Sequence, residues 1–353
     1  MKKLAAVAIF SLAMVACKKD TKTVTKIDPK TGEKITVEVP VSDSTKTETA
    51  VVVADPAIKE VNGVYIQSFK LEKGKTYPLT TYQRNVQTMT GPDGKSVSGT
   101  TNSTDEMSFT VNDFKDGVYD ISINLLGKSS SQTANGKTVS LDTKSAAPAD
   151  PNLKMMWTMN KALVGNKLQM KMKENGEVIS ISGFEPIYTK INTAASGQIK
   201  DAKQRTAFVN SFKQSFDQNS IKEQFTKNLM ILPKTGAKVG QKWTETENAT
   251  PDGSVKLTTT YMLKSVDNGM INLTVTGGIP KKSDKKSQQG MTHSISSELS
   301  QNGTVTIDQN TGWIKNQNIS VKTNQTESLS DGKQTQTMKS STTSTVIVNP
   351  QNK

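Results

Sequence analysis

The chain has 353 residues, of which 33% are hydrophobic and 5% aromatic, and its formal net charge is +13. This length allows one large domain or two smaller ones, but the low hydrophobic content excludes a deep globular interior and favours a thin core on one face of a β-sheet. The positive charge would suit nucleic acid or anionic lipid. The lysines are scattered, and arginine occurs only at Arg84 and Arg205. We therefore expect no nucleic-acid binding and interpret the charge as a Lys-rich soluble surface.

The N-terminus has the pattern of an export signal. Two lysines precede an apolar run of 13 residues at 4–16, which is shorter than the ~20 helical residues that a bilayer core requires. Cys17 follows immediately and is the only cysteine of the chain. Residues 12–17 resemble the lipobox of bacterial lipoproteins, with the small Ala16 before the cysteine and with Met14 where that family most often has leucine.

This resemblance implies a lipid anchor. Residues 1–16 would be a lipoprotein signal peptide, the thiol of Cys17 would be diacylated with chains such as palmitate before cleavage, and the freed amine would be acylated afterwards. Two or more acyl chains anchor a protein stably, whereas one binds only marginally. The alternative is an ordinary secreted protein whose cysteine stands there by chance. Without a second cysteine, the mature chain has no disulfide, thiolate metal cluster or cysteine nucleophile.

Residues 17–60 are interpreted as the lipidated cysteine followed by a flexible polar tether. The segment is rich in Thr, Lys, Ser and acidic residues and is too polar to bury itself. One hairpin is indicated within it, because residues 28–32 carry a Pro and Gly turn signal and Ile35, Val37 and Val39 alternate with polar residues. The tripeptide Asp-Ser-Thr at 43–45 resembles the short O-glycosylation sequon of Bacteroidota, a motif that also arises by chance.

Residues 61–353 are predicted to form a mainly β (α+β) body. Apolar residues alternate with polar ones, as at Tyr119, Ile121 and Ile123, which is typical of strands with one buried face. Asn-Gly and Asp-Gly dipeptides supply the positive φ angles of tight hairpin turns. They lie at 93–94, 116–117, 135–136, 175–176, 252–253, 268–269, 302–303 and 331–332. We therefore predict a first antiparallel meander at 61–192, a helical segment at 193–232 and a second meander at 233–353.

The second meander repeats features of the first in the same order. Residues 74–77 correspond to 240–243, 116–121 to 268–273, and 175–179 to 310–314, where Thr311 is one extra residue. The offset falls from 166 to 152 to 136 residues, the last counted from Gly176 to Gly312. Loops of the first half would therefore be longer, which suits the Ser-, Ala- and Pro-containing stretch 129–151. We interpret the body as a duplicated meander that forms a curved sheet or an unclosed barrel. The alternative is that any β-meander looks self-similar.

The helical segment carries a cluster of aromatic residues. Asp201 with Gln204 can form a capping box for one helix, and Ser220 with Glu223 a second box that opens residues 221–229. Four of the nine phenylalanines of the chain lie in this predicted central helical pair: Phe208, Phe212, Phe216 and Phe225. They either gate an apolar cavity or cover one face of the sheet as core contacts, and the two roles are compatible.

Motifs for catalysis and metal binding are absent from the sequence. His293 is the only histidine, and nothing beside it indicates a nucleophile elbow. A zinc site would need more His or Cys, and neither Gly-rich phosphate loops nor EF-hand calcium loops are present. Paired carboxylates stay open as a minor alternative, a glycan-acting enzyme, because any two acids can meet in a fold. We expect no metal, no cofactor and no enzymatic activity.

Several short turn motifs carry a resemblance to a known group of proteins. They are GKTY at 74–77, LVGNK at 163–167, GEV at 176–178 with GFE at 183–185, and VGQKW at 239–243. With these motifs, residues 61–353 resemble uncharacterised Bacteroidota lipoproteins built on a domain of unknown function. At fold level, a sheet with intervening helices on a lipidated tether looks like the unclosed-barrel carriers of lipids and lipoproteins. These resemblances imply a fold but no activity.

The predicted function is a membrane-anchored envelope lipoprotein that binds a lipid or other apolar ligand, without catalysis, in a groove between sheet and helices. The alternative is a structural or interaction subunit of an envelope complex that uses sheet edges or its basic surface. Surface-exported lipoproteins of Bacteroidota carry several acids after the lipidated cysteine, whereas residues 18–21 are Lys-Lys-Asp-Thr. This favours the outer membrane with the body facing the periplasm; the cell surface is the alternative. The candidate groove residues are Phe208, Phe212, Phe216, Phe225, Met170 and Met172.

Overall fold

The computed structural model describes residues 21–27, 34–40, 55–250 and 252–351. The chain divides into two compact units, Met1–Val53 and Ala54–Lys353. In the first unit, β1 (Thr21–Ile27) pairs antiparallel with β2 (Lys34–Pro40), which is the hairpin indicated by the turn signal between them. Cys17 and the Asp-Ser-Thr tripeptide at 43–45 lie outside the described residues, so the anchor and the sequon stay predictions.

The described part of the second unit contains 14 strands and four helices. The strands are β3 (Lys59–Val61), β4 (Val64–Ile66), β5 (Thr76–Thr90), β6 (Ser96–Lys115), β7 (Val118–Ala134), β8 (Lys137–Asp142), β9 (Lys167–Lys173), β10 (Val178–Ser182), β11 (Lys242–Asn248), β12 (Lys256–Asp267), β13 (Met270–Gln288), β14 (Met291–Asp308), β15 (Ile314–Ser330) and β16 (Thr335–Val348). The helices are α1 (Pro151–Leu163), α2 (Phe184–Gln198), α3 (Ala202–Ser215) and α4 (Gln218–Leu229).

Twelve of these strands form one antiparallel sheet. Its order is β10-β9-β7-β6-β5-β16-β15-β14-β13-β12-β11, and β8 pairs with the outer part of β7. The sheet is not closed, because β10 and β11 end it on opposite sides. The small hairpin of β3 and β4 pairs separately. The predicted fold class, a mainly β protein built on an antiparallel meander, is confirmed.

The strand registers of the two halves support the duplication. The first half has the strand order β10-β9-β7-β6-β5, and the second half has the matching order β15-β14-β13-β12-β11. β16 lies between β5 and β15 and joins the two halves. Shifting the first half by 166 and 152 residues, and by 135 residues on β9 because the extra residue Thr311 comes later, superposes the residue pairs across three successive ladders. The matched pairs are Tyr77–Phe109 with Trp243–Tyr261, Ile121–Val111 with Leu273–Leu263, and Ile121–Met170 with Leu273–Val305.

The β-bulges repeat as well. Asn112 is the extra residue where β6 meets β7, and Lys264 is the extra residue at the same place between β12 and β13. Ile179 on β10 and Lys315 on β15 form a second matched pair of bulges. A bulge bends its strand and is retained as a designed feature of a sheet. Two matched bulges are more than general self-similarity of a meander would produce.

The hydrophobic core lies at one end of the long strands, here called the core end, beside the turns at 116–117 and 268–269. Phe109 and Ile121 from the first half and Leu273 from the second are buried there in one continuous cluster. Trp313 connects the halves, because its indole nitrogen donates to the Pro78 carbonyl at 2.9 Å and its ring lies 5.1 Å from that of Phe109. Each fully buried side chain of this size stabilises the fold by about 1.5–3 kcal/mol.

The helices differ from the predicted central pair. Three helices, not two, connect the halves, and α2 begins at Phe184 inside the range predicted as the first meander. Gly183 adopts a φ of 97° before it, a conformation that favours glycine and gives no Asp or Ser cap signal. α1 lies outside the predicted helical segment as well, because its sequence carries no clear apolar stripe. In the structure, none of its residues is buried. Among the described residues, no helix is long and apolar enough to cross a membrane.

The start of α4 corrects the second predicted capping box. Asp217, not Ser220, is the N-cap, and its carboxylate accepts a hydrogen bond from the Ser220 backbone N–H at 2.7 Å. The first predicted cap is present, since Asp201 accepts from the Gln204 backbone N–H at 2.7 Å. Either Asp or Ser can cap a helix, so the sequence 217–220 offered two starts one turn apart.

We predict that Asp217→Ala lowers the unfolding midpoint at pH 7 by about 2 °C, because the Ser220 backbone N–H of α4 loses its capping acceptor. The hydrogen bond from the Ser220 backbone holds the pKa of Asp217 below its ordinary value. The stabilisation is therefore present above about pH 4 and is lost as the pH falls through the lowered pKa. Thermal unfolding of the variant and of Asp217→Asn, which keeps a capping oxygen, checks this. Equal losses in both variants would contradict the cap.

Candidate ligand cavity

A cavity of about 370 Å³ lies between the helices and the first half of the sheet. The junction of α3 and α4 forms one wall, and strands β5, β6, β7 and β9 form the other, with the end of α1 closing one side. The cavity therefore depends on four strands of the first repeat, on the end of α1 and on the α3–α4 junction. Its size lies at the lower end of the range for small-molecule sites, about 300–1,000 Å³.

Most of the lining is apolar. Ile123, Leu168 and Phe225 are buried side chains that form its floor, and Ile221 adds the first turns of α4. Because such surfaces exclude water, an apolar guest would be bound there mainly by the hydrophobic effect, at roughly 25 cal/mol for each Å² removed from water. The apolar lining residues are Met107, Ile123, Leu125, Leu163, Val164, Leu168, Phe216, Ile221 and Phe225.

The opposite side of the cavity carries two ion pairs. Lys128 pairs with Asp105, its direct partner across β6 and β7. Lys144, which follows β8, lies 2.6 Å from the Glu106 carboxylate. The side chains of Lys128 and Asp105 are 35% and 41% exposed, so this side of the cavity reaches solvent. An apolar cavity with one charged, wet side suits a ligand that has a hydrophobic body and one polar end.

A β-bulge shapes the charged side. The ladder between β6 and β7 shifts at this point, so that Glu106 faces Gly127 and Met107 faces Leu125, with Leu126 left over and 46% exposed. The bulge leaves Leu125 on the cavity wall while Leu126 points to solvent. At Gly127, a Cβ atom would come within 3.0 Å of the Lys144 side chain. The glycine therefore leaves room for the ion pair of Lys144 over the strand.

The structure brings two of the six predicted groove residues to the cavity. Phe216 and Phe225 line it, and Phe225 also packs edge-on against Phe109, with 5.2 Å between ring centroids. Met170 and Met172 are fully buried and do not line the cavity, because they lie nearer the core end of β9 than Leu168 does. They fill the interior, so they are core contacts and not groove residues in this structure.

The two remaining phenylalanines serve helix packing. Phe212 stacks on Phe216 at 5.4 Å and meets Tyr188 of α2 edge-on at 6.3 Å. The Tyr188 hydroxyl donates to the Phe216 carbonyl at 2.9 Å, which fixes the end of α3. Phe208 is partly buried against the core cluster and does not line the cavity. The aromatic cluster thus holds Phe216 in place on the cavity wall.

Sequence reasoning missed most of the wall. Ile123, Leu125 and Leu168 belong to strands whose alternation is clear, but alternation identifies the inner face of a strand and not the part of it that a helix leaves uncovered. Ile221 stands four residues before Phe225 on one face of α4, a spacing that could have indicated it. The ion pairs carry no sequence signal, because they depend on the strand register.

A second, smaller cleft of about 270 Å³ lies at the C-terminal end of α4 against the second half of the sheet. It is more polar: Glu247, which lines it, forms an ion pair at 3.0 Å with Lys227. Burial raises the pKa of Tyr261 in its wall to about 12. Trp243 stacks on Tyr261 at 5.6 Å, and its buried indole nitrogen has no acceptor among the described residues. The two repeats therefore present unlike surfaces to the helices.

His293 and the acidic residues form no metal centre in the described part of the chain. The nearest partner of the imidazole is Glu327, with 2.6 Å between Nε2 and Oε1; the two residues lie on β14 and β15, far from the core end. No group of three or more His, Cys, Asp or Glu side chains among the described residues is placed to hold a metal ion.

The fold and the cavity define an open antiparallel sheet protein with a helix-covered apolar pocket. Residues 116–314 match a family of unknown function, DUF6263. The chain belongs to this family. The match runs from the turn before β7 to the first residue of β15, so it covers the later strands of the first repeat, the helices and β11 to β14 of the second repeat. No curated protein matches the sequence significantly.

Comparisons of the structure find only distant similarity. A lipovitellin structure on lipid-protein interactions matches with a TM-score of 0.31 and 11% identity over 80% of this chain, which spans 26% of the lipovitellin chain. OccK7 of Pseudomonas aeruginosa matches with a TM-score of 0.18 and 7% identity over 78% of this chain and 98% of its own. An outer membrane channel of Pseudomonas putida F1 matches with a TM-score of 0.19 and 8% identity over 80% of this chain and 97% of its own. Similarities at this level carry no argument about function.

Proposed function

We propose that this protein is a lipid-anchored protein of the bacterial envelope that holds an apolar ligand, without catalysis, in the cavity between the α3–α4 junction and the first half of the sheet. The ligand is a lipid or a molecule of similar character, with a hydrophobic body in the cavity and its polar end beside the two ion pairs.

The cavity is the observation that carries this proposal. Met170 and Ile121 in the neighbouring core are fully buried, whereas Met107, Leu125 and Phe216 are partly buried hydrophobic residues that line the cavity. The cavity has a volume of about 370 Å³ and opens to solvent on its charged side, so part of its apolar surface stays in contact with water. A bound hydrophobic ligand would remove that surface from water, which favours binding.

The polar groups of the cavity support binding in preference to catalysis. Asp105 and Glu106 are each neutralised by a lysine, so neither is held as a free acid or base against the cavity. The remaining polar groups of the lining are Thr81, Gln83, Ser215 and Gln224. Such groups can orient the polar end of a ligand, but they lack an activated nucleophile of the kind that covalent catalysis requires.

The location rests on the N-terminal sequence. The lipobox-like residues 12–17 support anchoring through acyl chains on Cys17, and the lysines at 18 and 19 favour the outer membrane with the body facing the periplasm. An anchored carrier stays close to the bilayer, from which an apolar ligand can be taken up. The rival role, an interaction subunit of an envelope complex, would not require a cavity of this kind.

Native mass spectrometry of the full chain with Cys17→Ser, purified without detergent, tests the binding role. We expect a mass excess of a few hundred daltons that organic extraction removes, or uptake of one palmitate by the extracted chain. A chain that purifies without such an excess and takes up no palmitate at micromolar concentration would show that the cavity does not serve this function.

A further inference from the structure

Four hairpin turns meet at one edge of the sheet, opposite the core end, and this edge is here called the distal edge. They connect β5 to β6, β7 to β8, β13 to β14 and β15 to β16. The antiparallel registers place them together, since β16 pairs with β5 from Val348 opposite Thr81 to Lys339 opposite Thr90. The strands that carry these turns therefore end side by side.

The distal parts of the strands extend without a core. Residues 276–304, which cover the distal parts of β13 and β14, include no buried side chain, and neither do residues 335–347 of β16. Hydroxyl pairs occupy cross-strand positions, such as Thr90 with Ser96 at 2.8 Å and Ser287 with Thr292 at 2.9 Å. This region has no buried core of its own and holds the four turns away from the core end.

Exposed apolar side chains concentrate at these turns. Among the described residues, 13 large hydrophobic side chains are exposed, and six of them lie within four residues of a distal turn. Val97 is 61% exposed, and its cross-strand partner Met89 is 41% exposed. Single exposed apolar residues are ordinary, but here they recur at all four hairpins. The six are Met89, Val97, Val139, Met291, Leu329 and Met338.

The same edge is basic. Residues 87–99, 132–139, 279–295 and 326–340 contain eight lysines and four acidic residues, which leaves a surplus of four positive charges. Lys285 and Lys286 lie near the end of β13, within four residues of the turn to β14, and Lys137 and Lys333 lie at two other turns; all four are exposed. The edge thus combines cationic and apolar side chains on protruding loops.

We propose that the distal edge docks on the surface of an anionic lipid bilayer. Lysines near a negatively charged leaflet are attracted to it, and the short apolar side chains enter the headgroup region. Such docking is peripheral, is weakened by salt and does not depend on a ligand in the cavity. It would fix the orientation of the body at a membrane independently of the acyl chains.

The single cysteine of the chain makes a direct test practical. In the Cys17→Ser background, Val97→Cys at the distal edge and Val239→Cys at the core end each carry an environment-sensitive nitrobenzoxadiazole probe; these two valines are 61% and 53% exposed. With vesicles of phosphatidylglycerol and phosphatidylcholine, we expect the emission of the probe at 97 to rise and shift to the blue. We expect little change at 239, and little at either site with phosphatidylcholine alone.

Two variants that lose the same number of lysines distinguish binding by the distal edge from a general attraction of the positively charged protein to the vesicles. Replacing Lys137, Lys285, Lys286 and Lys333 by serine should weaken the vesicle response of the probe at 97 by at least about tenfold. Replacing the same number of exposed lysines elsewhere should leave it nearly unchanged. An unresponsive probe at 97, an equal response at 239, or equal losses in both variants would overturn the proposal. The control lysines are Lys115, Lys200, Lys203 and Lys264.

Discussion

Replacing Leu125 by Trp is expected to weaken ligand binding strongly while the protein stays folded. Leu125 is half-buried on the cavity wall, and the larger indole can occupy the space that a ligand would use. Filling an existing cavity costs less than overpacking a full core, so we expect the free energy of unfolding to fall by about 1 kcal/mol or less. Palmitate uptake, followed by native mass spectrometry, should weaken by at least about tenfold, because the ligand loses much of its buried area.

Met170→Leu is the matched control for this variant. Met170 is fully buried but does not line the cavity, and a volume-conserving core substitution costs less than about 1.5 kcal/mol. Palmitate uptake should therefore match that of the parent chain. If Leu125→Trp binds palmitate as well as the parent, or if Met170→Leu loses binding to the same degree, the ligand does not sit where the cavity places it.

Replacing Cys17 by Ser, with residues 1–16 exchanged for a signal peptide that is cleaved without lipidation, is expected to release the protein from the membrane in soluble, normally folded form. The thiol is the acceptor of the acyl chains in the proposed anchor, and serine cannot be processed in the same way. Loss of two acyl chains removes about 0.8 kcal/mol of membrane affinity for each buried CH₂ group, enough to change near-complete membrane association into near-complete release. Fractionation of cells, with the distribution of the protein followed by immunoblot, measures this.

The folded state of the released protein is the control. The described core lies entirely within residues 58–348, so the substitution at position 17 should leave the unfolding midpoint of the body unchanged. Continued sedimentation of Cys17→Ser with membranes in high salt would contradict the anchor. Salt is needed because docking of the distal edge would itself retain some protein at low ionic strength.

The sheet could be predicted from the sequence because its signals are local. Alternation along β7 marks the inward positions, and the dipeptides Asp116-Gly117 and Asn268-Gly269 take up the positive φ angles that their turns need. The duplication was visible because these turns recur in order. The registers and bulges, such as Asn112 against Lys264, then strengthen it with detail that only pairing reveals.

The helices and the cavity could be predicted only in part. α2 begins after Gly183, which gives no cap signal, so the predicted first meander at 61–192 includes its first turns. Phe184, Ile187 and Ile191 nevertheless have helical spacing and are buried. Met170 and Leu168 share one face of β9, yet only Leu168 lines the cavity, because the helices cover the core end of the strand and leave the next position open. Such a difference is set by tertiary packing and has no sequence signal.

Photocrosslinking from within the cavity tests the central claim most directly. Phe216 lines the cavity, whereas Phe208, on the same helical segment, is partly buried but does not. With p-benzoylphenylalanine at one position or the other in the full chain, and with palmitate bound, irradiation should yield a covalent palmitate adduct from position 216 and none from position 208. Adducts of equal yield from both positions, or an adduct from 208 alone, would contradict binding in this cavity.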